Sequence, residues 1–195
     1  KSGKDISVKE GYTVIDAGAC WGDTALYFAS KAGPGGKVYS FEFIPSNIRV
    51  FRKNMELNSM TSRNVNLIEQ PVWNRSDLEL FYSDRGPGSQ VSFDSNAVND
   101  GRVKTISIDD FVRHNNLDRV DFIKMDIEGA ESNALEGAAR TIKKFQPDLA
   151  IAIYHSIDDF AGIPRKIKEL LPDYNLYLDH FTIHSEETVV YATKK

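Results

Sequence analysis

The residues of this chain that are best placed to do chemistry begin at Val14, where the sequence reads Val-Ile-Asp-Ala-Gly-Ala-Cys-Trp-Gly-Asp-Thr. The pattern predicts a short apolar strand, a turn that contains Gly18 and Gly22, and the start of a helix. Glycine lets the backbone come close to a ligand because it has no Cβ. The segment is therefore typical of an open α/β sheet that binds a nucleoside at the carboxyl ends of its strands.

Two carboxylates belong to this predicted edge. Asp16 lies where the first strand becomes the turn, and Glu42 ends the second predicted strand. A carboxylate at the position of Glu42 can accept hydrogen bonds from both hydroxyls of a ribose. Asp16 could support the same ligand or bond the backbone of its own turn, and the two roles are compatible.

Two nucleoside ligands fit the pattern, a nicotinamide dinucleotide and S-adenosylmethionine. A dinucleotide needs glycines in the spacing G-x-G-x-x-G and a helix N-terminus that receives the pyrophosphate. This chain has the spacing G-x-x-x-G, and Asp23 places a negative charge at the start of the helix. That charge repels a pyrophosphate but suits a sulfonium and an ammonium group. The sequence favours S-adenosylmethionine, and an NAD(P)-dependent oxidoreductase or a non-catalytic nucleoside-binding module are the alternatives.

Residues just past the second and third predicted strands could flank an adenine ring. Phe43 and Trp73 are aromatic and could either contact the ring or pack at the edge of the core. Gln70 and Val72 occupy the region of such sheets where adenine is usually bound.

Acidic residues also follow the fourth predicted strand, in the run Lys-Met-Asp-Ile-Glu-Gly-Ala-Glu that ends at Glu131. Glu131 is explained by a favourable interaction with the N-terminus of the next helix. Asp126 and Glu128 could bind substrate hydroxyls, orient a base, or hold a divalent ion such as Mg²⁺ through oxygen ligands. A complete set of metal ligands cannot be read from the sequence.

His155 follows the fifth predicted strand at the same edge. A neutral imidazole there could take a proton from a substrate hydroxyl while a methyl group is transferred. The alternative is a histidine that bonds the backbone at the end of its strand. On the first interpretation, His155 is the catalytic base and Asp126 and Glu128 are its neighbours at the acceptor.

The elements that must hold these residues alternate between strands and helices, which predicts a parallel sheet with right-handed crossovers. A polar loop joins the last two predicted strands, so they must pair antiparallel. The predicted strands are Tyr12–Ala17, Lys37–Glu42, Asn64–Glu69, Val120–Met125, Pro147–Tyr154, Tyr174–Phe181 and Thr188–Thr193. The predicted helices are Asp23–Lys31, Pro45–Asn58, Asp109–Asn115, Glu131–Lys144 and Pro164–Leu171.

The middle of the chain departs from this alternation. Leu78–Tyr82 and Val103–Ile106 predict two short strands of a small β-hairpin or flap, an insertion around residues 78–106. The connection from Ser83 to Gly101 is long for a compact domain, which is typical of a functional loop. Its Gly-Pro-Gly segment at Gly86 suits a lid over the acceptor.

Composition sets the remaining limits. A chain of 195 residues with 41% hydrophobic residues predicts one domain over residues 1–195, and its net charge of −4 implies no broad attraction to nucleic acid or membranes. Cys20 is the single cysteine, which fits a small buried residue and a cytoplasmic location. No apolar run reaches the length of a membrane span. The sequence starts at Lys1 and not at a methionine, which leaves room for a preceding segment.

Together these motifs resemble the FkbM-type methyltransferases of the class I S-adenosylmethionine-dependent superfamily. The resemblance runs over nearly the whole chain, and the Lys-Met-Asp-Ile-Glu-Gly-Ala-Glu run is its most specific part. Its other carriers are the turn from Val14 to Thr24, the segments Phe41–Pro45 and Thr105–Asp110, and the final Glu187–Ala192.

The resemblance implies a Rossmann-like α/β sandwich with a seven-stranded, mostly parallel sheet and one antiparallel strand. It also implies transfer of a sulfonium methyl group to an oxygen of a sugar, a polyketide or another small natural product, with S-adenosylmethionine as cofactor. Carried onto this chain, it implies cofactor contacts from the turn and the next two strand ends, and acceptor contacts from the last two. The cofactor set is Asp16, Gly18, Ala19, Gly22, Thr24, Glu42, Phe43, Gln70 and Val72, and the acceptor set is Asp126, Glu128 and His155.

Overall fold

A seven-stranded sheet forms the centre of the protein, in a computed structural model that describes residues 5–94, 96, 100–183 and 187–194. The strands are β1 (Thr13–Ala17), β2 (Lys37–Phe41), β3 (Val65–Ile68), β4 (Glu79–Ser83), β5 (Gln90–Ser92), β6 (Gly101–Lys104), β7 (Phe122–Met125), β8 (Asp148–Ala152), β9 (Asn175–His180) and β10 (Thr188–Thr193). The helices are α1 (Asp23–Ala32), α2 (Pro45–Leu57), α3 (Ile108–His114), α4 (Glu131–Gly137), α5 (Ala139–Phe145) and α6 (Asp159–Leu170).

The strand order is β3-β2-β1-β7-β8-β10-β9. The first five of these strands are parallel, and β10 runs antiparallel to both of its neighbours. The order changes direction at β1, which lies between β2 and β7, and the carboxyl ends of these three strands form the crevice where open α/β sheets bind ligands. The predicted seven-stranded sheet with one antiparallel strand is confirmed.

The central strands are apolar because both faces of the sheet are covered. All five residues of β1 and all five of β8 are buried. Neighbouring residues of a strand point to opposite faces, so Ile15 joins the core cluster that contains α3, α4 and α6 residues, whereas Val14 packs with Phe28 of α1.

The insertion is a three-stranded antiparallel sheet of order β5-β4-β6 and not a simple hairpin. The extra strand, β5, lies inside the segment that the sequence predicts as a loop, where a short 3₁₀ helix (Gly86–Gly88) precedes it. Backbone hydrogen bonds to β4 stabilise β5. The segment is so polar that alternating hydrophobicity did not predict a strand there.

The predicted helix Glu131–Lys144 is two helices, α4 and α5. A buried carboxylate on α3 caps the N-terminus of α5. Asp109 accepts hydrogen bonds from the backbone N–H groups of Arg140 (3.0 Å) and Thr141 (2.7 Å). An acceptor at a helix N-terminus is a strong start signal. The cap comes from a residue that is distant in sequence, so helical periodicity could not reveal it.

The predicted helix from Pro164 begins five residues earlier, and Pro164 lies inside α6. Proline in a helix interior removes one hydrogen bond and crowds the preceding turn. The helix nevertheless continues because Ile163 and Ile167 are fully buried in the core. Among the described residues, no helix is long and apolar enough to cross a membrane.

Two helical glycines form a matched pair for a stability test. A Cβ on Gly137 would lie 2.1 Å from the carbonyl oxygen of Trp73, whereas a Cβ on Gly162 would meet nothing within 4 Å. We expect Gly137→Ala to lower the free energy of unfolding by about 1–3 kcal/mol through overpacking. Gly162→Ala should raise it by up to ~1 kcal/mol because alanine favours the helix. Urea denaturation of both variants measures this, and equal effects would contradict the packing at Gly137.

Candidate functional site

A cavity of about 640 Å³ opens at the carboxyl ends of the central strands. It extends from the turn after β1, past the ends of β2 and β3, to the ends of β7 and β8. Of the residues that the sequence assigns to a site, those on the cavity surface are Gly18, Ala19, Thr24, Glu42, Phe43, Gln70, Val72, Asp126 and Glu128.

The turn after β1 has a backbone that few side chains would tolerate. Gly18 has a φ of 82°, and a Cβ there would lie 1.8 Å from the carbonyl oxygen of Asp126. The N–H groups of Gly18 and Ala19 both point to the carbonyl of Phe41, at 3.1 and 3.0 Å. Gly18 is therefore needed because the end of β7 packs directly against the turn.

Asp16 lies beneath the turn and is not among the described residues on the cavity surface, so its expected place along the methionine part of a cofactor stays a prediction. It is fully buried, and its Oδ2 accepts hydrogen bonds from Thr24 (3.0 Å) and Ser40 (3.4 Å). Its Oδ1 lies 3.6 Å from Nζ of Lys124. Burial raises the pKa of Asp16, and Lys124 opposes that shift. Asp16 holds the turn in place.

Gly22 also lies behind the cavity surface. It precedes α1 with a φ of 84°, and a Cβ there would lie 2.7 Å from Cε of Met55 and 2.8 Å from Cδ2 of Phe51. Packing against α2 thus explains this glycine. Asp23 and Trp21, on either side of it, both reach the cavity.

Glu42 is the carboxylate at the end of β2. Its Oε1 accepts hydrogen bonds from the N–H groups of Phe43 (2.7 Å) and Ile44 (2.8 Å), and Asn47 donates to Oε2 at 3.2 Å. Burial raises the pKa of Glu42, while these hydrogen bonds act in the opposite direction. The side chain is held rigidly at the cavity surface, where its remaining lone pairs can accept ribose hydroxyls.

The side of the cavity assigned to adenine is built from aromatic and apolar groups. The Phe43 ring meets Tyr82 of β4 edge-on at 5.7 Å, and Trp73 meets Phe93 in the same way at 5.6 Å. Val72 is buried, and the side-chain amide of Gln70 donates to the carbonyl of Lys104 at 3.3 Å. The small three-stranded sheet therefore supports this wall.

The opposite end of the cavity carries the acidic run after β7. Asp126 and Glu128 both reach the surface, and Glu128 has a φ of 56° that turns the chain away from the strand. Tyr154, which follows β8, donates a hydrogen bond from its hydroxyl to Oδ1 of Asp126 at 3.0 Å. Burial, and then the charge of Asp126, raises the pKa of Tyr154. The tyrosine hydroxyl is held as a neutral donor.

The His155 ring lies behind this acidic end. Its Nε2 is 3.4 Å from Oδ1 of Asp126 and 3.8 Å from Oε2 of Glu128, and its Nδ1 is 3.1 Å from Oε1 of Glu131. Burial alone would lower the pKa of His155, but the three carboxylates, Glu131 first, outweigh burial and raise it above 6.5. His155 is not among the described residues that line the cavity. Of the lining carboxylates, Asp126 lies nearer to Nε2 of His155 than Glu128 does.

The sequence suggested Asp126 and Glu128 as possible metal ligands, but the structure brings Asp126 together with Glu131 and His155. Possible ligand atoms of Asp126, Glu131 and His155 lie within 4.8 Å of one another. The two carboxylates of this group, however, lie against different ring nitrogens of the histidine. A metal ion takes one ring nitrogen while the other donates a hydrogen bond. The geometry fits an imidazole between two carboxylates better than a set of ligands around one ion.

Charge on the cavity surface is strongly one-sided. The described lining residues include the carboxylates of Asp23, Glu42, Asp126, Glu128 and Glu187, and Lys124 is their single positively charged side chain. The Nζ of Lys124 donates to the carbonyl of Gly18 at 2.7 Å. Such a surface disfavours a pyrophosphate and favours a ligand that carries positive charge.

Sequence reasoning missed Lys124 and Tyr154 as members of the site. A signal for Lys124 was present, because a lysine inside the apolar strand Phe-Ile-Lys-Met must find a partner when it is buried. Its partners, Gly18 and Asp16, are more than 100 residues away in sequence. Tyr154 carried no such signal, since an aromatic residue after an apolar strand is common core packing.

Known proteins agree with this geometry. The sequence profile described as Methyltransferase FkbM domain matches residues 16–181. The fold is that of a class I S-adenosylmethionine-dependent methyltransferase, and this chain belongs to the FkbM methyltransferase domain family.

Individual solved structures have the same fold. The crystal structure of Methyltransferase FkbM from Methylobacillus flagellatus KT superposes with a TM-score of 0.76 at 24% identity, over 98% of this chain and 45% of that one. Fibrillarin from Aeropyrum pernix, in complex with natively bound S-adenosyl-L-methionine, gives a TM-score of 0.58 at 18% identity, over 95% of this chain and 68% of that one.

A protein-L-isoaspartate O-methyltransferase from Methanothrix thermoacetophila is 33% identical over 92 residues, which are 47% of this chain and 40% of that protein. The chain thus spans less than half the length of two of these relatives.

Cys20 provides a chemical test of the turn. It lies on the cavity surface, and burial, followed by the charge of Glu42, raises its pKa to about 11. Because only the thiolate is reactive, we expect iodoacetamide at pH 8 to modify the folded protein at least ~100-fold more slowly than an ordinary cysteine. The rate should rise about tenfold per pH unit up to pH 10. Mass spectrometry measures it, with the urea-unfolded protein as control, and equal rates would contradict this environment.

Proposed function

We propose that this chain transfers the sulfonium methyl group of S-adenosylmethionine to a hydroxyl group of a small acceptor such as a sugar or another natural product. The observation that carries the proposal is one cavity with two differently built ends. The turn after β1 and Glu42 form one end, and Asp126, Glu128 and Tyr154 form the other. A methyl donor and an acceptor can therefore meet within one cavity.

The first end of the cavity fits the cofactor. We assign the ribose to Glu42 and the adenine to the wall that contains Phe43, Gln70 and Val72. Gly18, Ala19 and Thr24 line the part that remains for the methionine, above Asp16 and Gly22. The carboxylates of the lining, among them Asp23 in the first turn of α1, suit the two positive charges of this cofactor.

The second end fits a hydroxyl acceptor. When bound, S-adenosylmethionine supplies a methyl group that is already activated, so the protein mainly aligns the acceptor oxygen with it, a contribution of up to ~7–11 kcal/mol. Asp126 and Glu128 accept hydrogen bonds from the acceptor and orient its oxygen. Transfer would break the bond between the methyl carbon and sulfur, form the new C–O bond and leave S-adenosylhomocysteine. The hydroxyl proton would pass to Asp126 and from there to Nε2 of a neutral His155. Glu131 stabilises the imidazolium that results.

An acidic cavity surface disfavours nucleic acid and phosphorylated acceptors, which supports a small neutral or cationic acceptor. No step of this mechanism uses a metal ion. The single cysteine is consistent with a cytoplasmic location, which stays a prediction.

Cofactor binding separates this proposal from an oxidoreductase. We expect titration calorimetry to show binding of S-adenosylmethionine and S-adenosylhomocysteine. Binding of NAD⁺ and NADP⁺ should be at least ~100-fold weaker, because their phosphates meet the carboxylates of the cavity. Tighter binding of a nicotinamide dinucleotide would refute the proposal.

Asp126→Asn separates a methyltransferase from a non-catalytic nucleoside-binding module. The variant loses the proton acceptor, so we expect methyl transfer to fall by ~10²-fold or more while the affinity for S-adenosylhomocysteine changes little. Release of S-adenosylhomocysteine over a panel of sugars, phenols and amino sugars measures the rate. Asp118→Asn, exposed before the amino end of β7, is the matched control. A wild-type protein that binds the cofactor but methylates no acceptor would favour the module.

A further inference from the structure

Lys124 stands apart from the other polar residues of the cavity. It is the single positively charged side chain among the described lining residues, which also include five carboxylates. Its side chain is 14% exposed, so most of it is buried. A charged lysine in such a position costs free energy unless its ammonium group is satisfied.

The partners found among the described residues satisfy only part of that ammonium group. One N–H of Nζ donates to the carbonyl of Gly18 at 2.7 Å. Oδ1 of Asp16 lies 3.6 Å away and makes no hydrogen bond within the described part of the chain, so it balances the charge without taking a donor. A lysine ammonium has three donors. Capacity is left over at the point where Lys124 reaches the cavity.

The proposed cofactor carries one negatively charged group, and all but one of the charged side chains among the described lining residues are carboxylates. S-adenosylmethionine has a sulfonium, an α-ammonium and an α-carboxylate. Asp23, in the first turn of α1, suits the positive groups but repels the carboxylate. Among the described lining residues, only Lys124 supplies a positive charge, and it does so beside Gly18, at the end of the cavity assigned to the methionine.

We propose that Lys124 binds the α-carboxylate of the cofactor while it holds the Gly18 carbonyl. Lys124 then has two roles, of which the second rests on the proposed function. It fixes the turn to β7, and it presents a cation to the only negative group of the ligand. Cofactors or inhibitors without that carboxylate lose the contact.

The test pairs one change in the ligand with one change in the protein. Titration calorimetry compares S-adenosylmethionine with decarboxylated S-adenosylmethionine, which lacks only the carboxylate. We expect the wild-type protein to bind the complete cofactor about 10- to 100-fold more tightly, as a charged hydrogen bond predicts. Lys124→Met should abolish this preference, Lys124→Arg should retain part of it, and Lys37→Met, at the exposed start of β2, should leave it unchanged.

Because each variant is its own reference, a general loss of stability cancels in the ratio of the two affinities. Equal affinities in the wild-type protein would overturn the assignment of Lys124 alone. A preference that survives in Lys124→Met would do the same. If Lys124→Met does not fold, the two ligands on the wild-type protein and on Lys124→Arg decide the question. Binding of neither ligand to the wild-type protein would overturn the proposed function as well.

Discussion

A buried ion pair between Asp16 and Lys124 joins the two strands on which this site depends. In the parallel register Asp16 lies beside Lys124 on one side and Ser40 on the other. The carboxylate is fully buried and the ammonium nearly so, and loss of either partner would leave an uncompensated charge. The pair therefore makes the relative position of β1 and β7 strict. The turn with Gly18 and the acidic run after Met125 begin at the ends of these strands.

The same contact explains why one edge of the sheet can hold two reactants. Lys124 reaches over the end of β1 to the Gly18 carbonyl, and the carbonyl of Asp126 packs where a side chain on Gly18 would lie. The turn and the acidic run thus form one surface. Transfer of a methyl group requires donor and acceptor to be aligned within a fraction of an ångström, which rigid strand ends provide better than free loops.

Much of this fold was predictable from local patterns. Apolar strands, glycine breaks and helical periodicity alternate along the chain, and they correctly predicted the mostly parallel sheet with its antiparallel strand. Tertiary contacts decided the remainder. Asp109 starts α5 from another helix, and the burial of Ile163 keeps a proline inside α6. Neither effect is visible in a window of ten to twenty residues.

The site, like the fold, was predictable from the sequence only in part. Strand ends indicated which residues gather at the edge, and most of them reach the cavity surface. Depth was not predictable, because a residue at a strand end can lie above or beneath the turn. Asp16 and His155 lie beneath, where they hold Lys124, Asp126 and the turn, and their partners are far away in sequence. Asp126 and Glu128 line the cavity, and their role in binding the acceptor stays a prediction.

A crystal structure of this protein with S-adenosylhomocysteine tests the central claim most directly. The account predicts ribose hydroxyls on Glu42, the homocysteine carboxylate at Nζ of Lys124, and open space between the sulfur and Asp126. A ligand whose carboxylate points away from Lys124, or whose sulfur is shut off from Asp126, would contradict it.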